Sequence, residues 1–406
     1  MTQNAIIVRF GEIFLKRQRK RYFLERLVTN LRLALAEWDD VKVNSPHGRV
    51  MVTLKGPKGE CPPPFEENLE PILDAIGRVF GIESFSPAVL CEPDLDVLHH
   101  QVAAAAERAL QRHPGIRTFK VDTRRVDKSF PMSSTETNAL LGGAVLAPHP
   151  ELKVDLGKPD LTVGVEIHPR YTAVHAESLP GPGGLPVGSN GKALLLLSGG
   201  IDSPVAGWRI AKRGVQIDGL YFHAFPYTGD QTKEKVVALA RELARWQGPM
   251  RLHIVEFAAF QKHCRDNANG RLLVLLYRRQ MIRIAEVIAK RRKHLALVTG
   301  ESVGQVASQT LHNIHSIGCV TDLPIIRPLV GNDKQETITL ARTLGTYPIS
   351  IQPFDDCCSL FVPRHPETRA RPEQLEAAEE ALDLETHLLE ALDSMETLEI
   401  VPTGHA

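Results

Sequence analysis

The sequence predicts an α/β protein: small α+β modules first, then a doubly wound parallel sheet. Three observations carry that prediction. Residues 194–197 are a short continuous apolar run, the mark of a strand buried on both faces, and a Ser-Gly-Gly turn and helix signals follow at once. Similar runs at 218–223, 252–257 and 295–299 alternate with helix-length segments, the rhythm of parallel strands joined by helical crossovers. A glycine- and proline-rich connector, LPGPGGLPVGSNGK at 179–192, separates this region from the shorter elements before it.

Taken in order, residues 4–10 read as a strand, and 11–39 contain a basic amphipathic helix. Phe14, Phe23, Leu24, Leu27, Leu31 and Leu35 fall at helical spacings, with Lys16, Arg17, Arg19, Lys20, Arg21 and Arg26 on other faces. Such a face is either solvated surface or a phosphate-contacting arm. Strands at 41–44 and 49–55 follow, and Pro62-Pro63-Pro64 marks a linker. Next come a helix at 69–80, a strand at 84–90, and an alanine-rich helix at 94–112, capped by Asp94 or Asp96 and stopped by Pro114-Gly115. A strand at 118–121 opens into a loop where Arg117, Lys120, Arg124, Arg125 and Lys128 gather around Phe119 and Phe130. Ser133 and Glu136 form a capping box for a helix at 133–146, and strands at 152–154 and 161–167 complete the module.

Beyond the connector, helices are predicted at 233–246 and 272–292, the latter carrying Arg278, Arg279, Arg283, Arg291 and Arg292. Gly300 directly follows a strand, where a missing side chain lets backbone approach closely. Asn332 or Asp333 caps a further helix, and residues 372–397 read as an acidic amphipathic helix packed on the body.

Net charge is zero but uneven: residues 373–406 hold ten acids and no Lys or Arg, leaving 48 basic against 38 acidic residues elsewhere. Residues 1–180 are balanced, so the basic excess lies between 181 and 372, compatible with a nucleic-acid partner. No run approaches the ~20 apolar residues of a membrane span, and MTQNAIIVRF lacks a signal-peptide pattern, so a cytoplasmic protein is expected. The six cysteines form no CxxC pair, which argues against a zinc ribbon or disulfide framework; only Cys357-Cys358 are adjacent. His312 and His315 have no carboxylate or thiol at metal-ligand spacing, and no metal site is expected there.

The 193–212 stretch, ALLLLSGGIDSPVAGWRIAK, carries the chemistry. Ser203 is a candidate cap and Pro204 suits a first helical turn, so strand, glycine turn and helix N-terminus together form an anion site. A Walker A loop is excluded, because Pro186 stands where its first glycine belongs and Ala193 where Ser or Thr should follow Lys192. SGGIDS at 198–203 instead resembles the PP-loop of ATP pyrophosphatases. The order FKVDTRRVDKSFPMSS then PDLTVGVEIH resembles a THUMP domain, which implies RNA binding, with Lys120, Arg124, Arg125 and Lys128 as phosphate contacts.

LLLLSGGIDSPVAGW, TGESVGQVASQTL, RPLVGNDKQE and GTYPISIQPFDDCCSLFVP occur in one order with the THUMP-like block, and together they resemble the tRNA uridine 4-sulfurtransferases (4-thiouridine synthetases). The resemblance spans nearly the whole chain. It implies a ferredoxin-like domain at 1–62, THUMP at 63–178, a linker at 179–192, a PP-loop domain at 193–372 and the acidic helix at 373–406. The activity it implies is ATP-dependent activation of the 4-oxygen of uridine 8 in tRNA, with Mg2+, followed by sulfur transfer from a cysteine persulfide. Carried over by motif, Leu196, Leu197, Ser198, Gly199, Gly200, Asp202, Ser203, Tyr221, Phe222, Arg278, Gly300 and Gln309 hold ATP. Cys357 takes the position of the essential cysteine ahead of Cys358, and Asp202 orients magnesium or the loop. Implied partners are tRNA, a cysteine desulfurase as persulfide donor, a sulfur-carrier protein of thiamine thiazole synthesis, and a second copy in a homodimer; no membrane is involved.

Two departures shape the expectation. No rhodanese module follows the PP-loop region, and near LYRR there is only Tyr277 where cluster-bearing members have cysteines, so sulfur is expected to reach Cys357 directly. The competing classes are a PP-loop ligase or amidotransferase acting on a small molecule and an RNA-binding module with a degenerate nucleotide fold. The THUMP-like block and Cys357 speak against the first, and intact SGGIDS with Gly300 and Gln309 against the second.

Overall fold

The computed structural model describes residues 2–45, 49–57, 60–354, 357, 361 and 363–402. The chain forms two compact units, 1–184 and 185–406.

The first unit contains strands β1 (Ala5–Arg9), β2 (Val41–Asn44), β3 (Val50–Leu54), β4 (Ser84–Cys91) and β5 (Thr118–Arg125). β6 (Lys153–Val154), β7 (Leu161–Ile167), β8 (Thr172–His175) and β9 (Leu179–Pro180) complete it. Its helices are α1 (Lys20–Ala34), α2 (Leu69–Ile76), α3 (Leu95–Arg112) and α4 (Ser134–Leu146). One sheet runs β2-β3-β1-β4-β8-β7-β5-β6, with β9 also on β4. β4 is the joint, pairing antiparallel with β1 on one side and β8 on the other. Along β5 the strand period sends Phe119, Val121 and Thr123 inward, among Val102, Ala106, Leu141 and Val163, while Lys120, Asp122 and Arg124 take the other face.

Local caps settle one open reading and bear out one expectation. Asp94, not Asp96, caps α3 by accepting from Val97 N at 3.0 Å, and Ser133 and Glu136 close the capping box on α4. The basic segment differs from the single helix expected: Glu12–Arg19 is a 3-10 stretch, and α1 begins only at Lys20. β8, a four-residue strand that the sequence reading did not assign, is buried between β4 and β7.

The second unit has strands β10 (Lys192–Leu196), β11 (Gln216–His223), β12 (Met250–Glu256), β13 (Leu297–Val298), β14 (Ile325–Ile326) and β15 (Glu396–Ile400). Its helices are α5 (Asp202–Ala211), α6 (Asp230–Gln247), α7 (Ala258–Asn267), α8 (Leu273–Arg292), α9 (Leu311–Gly318) and α10 (Lys334–Thr343). α11 (Tyr347–Ser350), α12 (Pro372–Glu379) and α13 (Leu384–Asp393) follow. The sheet order is β14-β13-β10-β11-β12-β15, parallel except for β15, which is antiparallel to β12. From β10 the chain winds outward through β11 and β12, then returns to lay β13 on the opposite side of β10. Ligands in such sheets lie outside the carboxyl ends of the strands at this reversal.

The acidic tail is not the one helix expected. It is α12, α13 and β15, because Asp383 recaps the chain through Thr386 N at 3.1 Å and Thr397 and Glu399 continue the sheet beside His253 and Arg251. Glu379 on α12 holds both Arg279 and Arg283 of α8 in two-point pairs at 2.8–3.0 Å. Arg279, only 2% exposed, also donates to Ser316 O on α9 at 2.7 Å, so this one guanidinium ties α8, α9 and α12 together. No helix among the described residues is long and apolar enough to cross a membrane.

Candidate active site

At the end of β10 the chain turns through Ser198, Gly199 and Gly200 into α5. Ser203 does not cap that helix, as the sequence suggested; it lies inside the first turn, and Ile201 at the cap position makes no side-chain cap bond. The Ser203 hydroxyl instead accepts from Ser198 N at 2.9 Å and lies 3.2 Å from Ser198 Oγ, which accepts from Gly200 N at 3.3 Å. The turn is thus drawn tight by its own serines, and the uncapped helix start presents backbone amides and the positive end of the helix dipole to an anion.

Gly300, at the end of β13, lies against this turn. A Cβ there would fall 2.7 Å from Ser203 N and 2.8 Å from Asp202 C, closer than real Cβ atoms come. Only glycine lets the two loops of the sheet reversal meet.

A cavity of about 270 Å³ opens where they meet. Leu196, Leu197, Ser198, Gly200, Asp202, Ser203, Tyr221, Phe222, Arg278, Gly300, Gln309 and Cys357 all line it. Of the residues singled out for nucleotide binding, Gly199 is not on the wall. The cavity has two characters: serines, Arg278 and Glu301 at the turn, and Met281, Ile282, Ile317, Phe222 and Cys357 in the apolar part. Gln309 is 6% exposed, and its Oε1 has no hydrogen-bond partner among the described residues, a donor-seeking group on the wall. Cys357 is buried, and its carbonyl accepts from Gln261 Nε2 at 2.7 Å. Cys358 lies outside the described residues.

Three residues that the sequence reading did not select complete the charge pattern. Glu301 is ion-paired with Arg278 and with Arg327 (2.7 Å) and accepts from Thr299 Oγ1 at 2.9 Å. Burial alone would push its carboxyl up, but the two arginines and these hydrogen bonds outweigh it and hold the pKa below the usual 4.5. Asp202 is gripped by Lys334 Nζ at 2.7 and 2.9 Å and by Gln305 Nε2 at 2.8 Å. Arg278, Arg327 and Lys334 against Glu301 and Asp202 leave one positive charge over, as an anion site requires. The signal for Lys334 was its place after Asn332-Asp333 at a helix start; nothing local marked its partner.

In the first unit, Arg124 lines a separate cleft of about 480 Å³ with Arg9, Asp122, Asp160, Glu166 and His175, and Lys128 is exposed on the following loop. Lys120 lies two residues before Asp122 on the same strand and is half-buried. Arg125 is turned away from solvent: its Nη1 donates to Phe130 O (3.1 Å) and Met132 O (2.6 Å), which shapes the loop.

Comparison with known proteins follows the same layout. A family model described as thiamine biosynthesis protein (ThiI) matches residues 188–384, a ThiI ferredoxin-like domain matches 5–86, and a THUMP domain matches 92–174. The chain is 42% identical over 381 residues to a probable tRNA sulfurtransferase of Caldanaerobacter subterraneus subsp. tengcongensis, covering 94% of this chain and 96% of that protein. It is 41% identical over 400 residues to a probable tRNA sulfurtransferase of Brevibacillus brevis, covering 98% and 97%. A solved 4-thiouridine synthetase–RNA complex with bound ATP superposes with a TM-score of 0.89 at 38% identity, covering 98% of this chain and all of that one. With the two domain types of the first unit, the PP-loop sheet reversal of the second and this full-length similarity, the chain belongs to the tRNA sulfurtransferase (ThiI) family of enzymes.

Proposed function

We propose that this enzyme uses ATP to adenylate the 4-oxygen of uridine 8 in tRNA and replaces that oxygen with sulfur carried on Cys357, forming 4-thiouridine. The observation that carries the reading is that the 198–203 turn and Cys357 line one cavity. An amide-like oxygen is a poor leaving group, and adenylation turns it into AMP. The turn and Arg278 would hold the phosphates and offset the negative charge that builds as pyrophosphate departs. The terminal sulfur of a Cys357 persulfide then attacks C4 as AMP leaves. A second thiol cleaves the S–S bond, which leaves sulfur on C4 and Cys357 in a disulfide.

The donor set bears on magnesium. Among the described residues no group of three His, Cys, Asp or Glu could hold a metal, and Asp202 is engaged by Lys334 and Gln305. Magnesium would therefore come with the phosphates of ATP, where the Asp202 carboxylate of the turn could meet it. Sulfur would reach Cys357 from a cysteine desulfurase, and the same persulfide would serve a carrier protein for thiamine thiazole. The basic residues Lys120, Arg124 and Lys128 of the first unit support tRNA as the partner, through salt-sensitive phosphate contacts.

Cys357→Ala and Cys358→Ala test the reading against each other. The first is expected to abolish 4-thiouridine formation while tRNA-dependent ATP–pyrophosphate exchange continues, and the second to retain both. Thiolation that survives in Cys357→Ala and fails only in Cys358→Ala would move the sulfur to the neighbouring residue. Pyrophosphate exchange that needs no tRNA would point to a small-molecule ligase.

A further inference from the structure

Among the described residues four aromatic side chains are exposed: Phe14, Tyr22, Phe225 and Tyr227. The last two stand two residues apart in the segment joining β11 to α6, and are 58% and 46% exposed. Isolated exposed rings are common, but adjacent ones beside a substrate cavity ask for an occupant. The segment is braced. Tyr227 N and Thr228 N both donate to Ala224 O, at 2.8 and 3.0 Å, and Ala224 N donates to Thr228 Oγ1 at 3.3 Å. The rings are therefore held out by a closed turn, and little ordering entropy remains to be lost when something lies on them.

Their placement connects the two halves of the site. From Tyr221 on the cavity wall, ring follows ring outward: Tyr221 to His223 at 5.8 Å, then His223 to Phe225 at 6.4 Å between centroids. Tyr227 meets Phe361 edge-on at 5.3 Å, and Phe361 lies four residues beyond Cys357. The guanidinium of Arg265 sits 4.7 Å from the Phe361 ring centre. With a nucleotide seated on the 198–203 turn, the second substrate would be met where the chain leaves the carboxyl end of β11, the segment that carries Phe225 and Tyr227.

We propose that Phe225 and Tyr227 are the stacking platform for the target uracil, which they hold at the cavity mouth with its 4-oxygen toward the nucleotide. The inference rests on the reading of this site as one of base adenylation. A base taken out of an RNA stack loses its neighbours' faces, and aromatic side chains replace them. Stacking on one ring is worth roughly 5- to 150-fold by alanine substitution.

The test is single-turnover thiolation of an unmodified tRNA transcript at saturating ATP, with ATP affinity measured alongside. The Phe225→Ala/Tyr227→Ala double variant is expected to thiolate at least ~25-fold more slowly while ATP affinity stays within about threefold. Phe225→Trp and Tyr227→Phe, which keep a ring, should retain most of the wild-type rate. A double variant at wild-type rate overturns the platform, and so does one that loses ATP binding in parallel, because the rings would then serve the nucleotide or the fold. Absence of 4-thiouridine with the wild-type enzyme overturns the parent reading instead.

Discussion

Lys334 Nζ lies 2.7 Å from Asp202 Oδ1 and 2.9 Å from Oδ2, a link between residues 132 apart in sequence at the start of two helices. Asp202 is the first residue of α5, where a carboxylate suits the helix dipole but repels a phosphate. Lys334 removes that conflict. In Lys334→Met the ATP–pyrophosphate exchange rate should fall at least ~100-fold, through an uncompensated carboxylate beside the phosphate site. Stability should change by only ~0–1 kcal/mol, since the lysine side chain is 44% exposed. A thermal melt beside the exchange assay separates the two effects.

Gly300→Ala puts a methyl group 2.7 Å from Ser203 N, against backbone that cannot swing aside. The turn must shift, and the amides aimed at the anion shift with it. Equilibrium ATP binding is expected to weaken ~10-fold or more, the scale of one hydrogen bond lost to a charged phosphate. Binding at wild-type strength would mean that the close approach of the two loops plays no part in holding phosphate.

Glu301 makes a pH prediction. Its folded pKa is lowered by Arg278 and Arg327 against the opposing effect of burial, so it contributes stability that is present above the unfolded value of 4.5. That contribution disappears as pH falls through the lower folded value. Glu301→Gln should cost roughly 3–5 kcal/mol at neutral pH by leaving two arginines without their carboxylate. Urea unfolding at pH 7 and below pH 4 checks this: the gap between wild type and variant should shrink in acid.

His175 in the first unit also loses stability in acid, for a different reason. Burial first, then Arg9 and Arg49, push its pKa down to about 3, and its Nε2 sits 2.9 Å from Arg9 Nη2 as the acceptor of a neutral ring. The unfolded chain takes up a proton near 6.5 and the folded one does not, so stability is full above 6.5 and drains away as pH falls toward 3. His175→Gln keeps an acceptor for Arg9 without the titration. Its unfolding midpoint should vary less between pH 7 and pH 4 than that of the wild type.

Glu379 tests the acidic tail. Glu379→Gln leaves the fully buried Arg279 short of its counter-charge, and unfolding of the second unit should become easier by ~3–5 kcal/mol. Chemical denaturation followed through Trp208 and Trp246, which pack edge to face in that unit, reads this directly.

What the sequence determined by itself was whatever is encoded in contiguous residues. The strand–turn–helix at 192–211 was legible because an apolar run, two small residues and a helix start dictate each other locally. The capping box at Ser133 was legible for the same reason, while the choices of Asp94 over Asp96 and Asp333 over Asn332 were made by the structure. Burial decided what Glu301 is: a carboxylate after Gly300 looks like any turn residue until two arginines close on it. Strand order decided the rest. Because β13 returns beside β10, Gly300 meets Ser203, and α10 brings Lys334 to Asp202. Glu396–Ile400 read as helix because its acids and apolar residues fit either period, and only an open edge on β12 made it a strand. Residues distant in the chain become partners through the sheet's long-range pairing, a property that no local window of sequence contains.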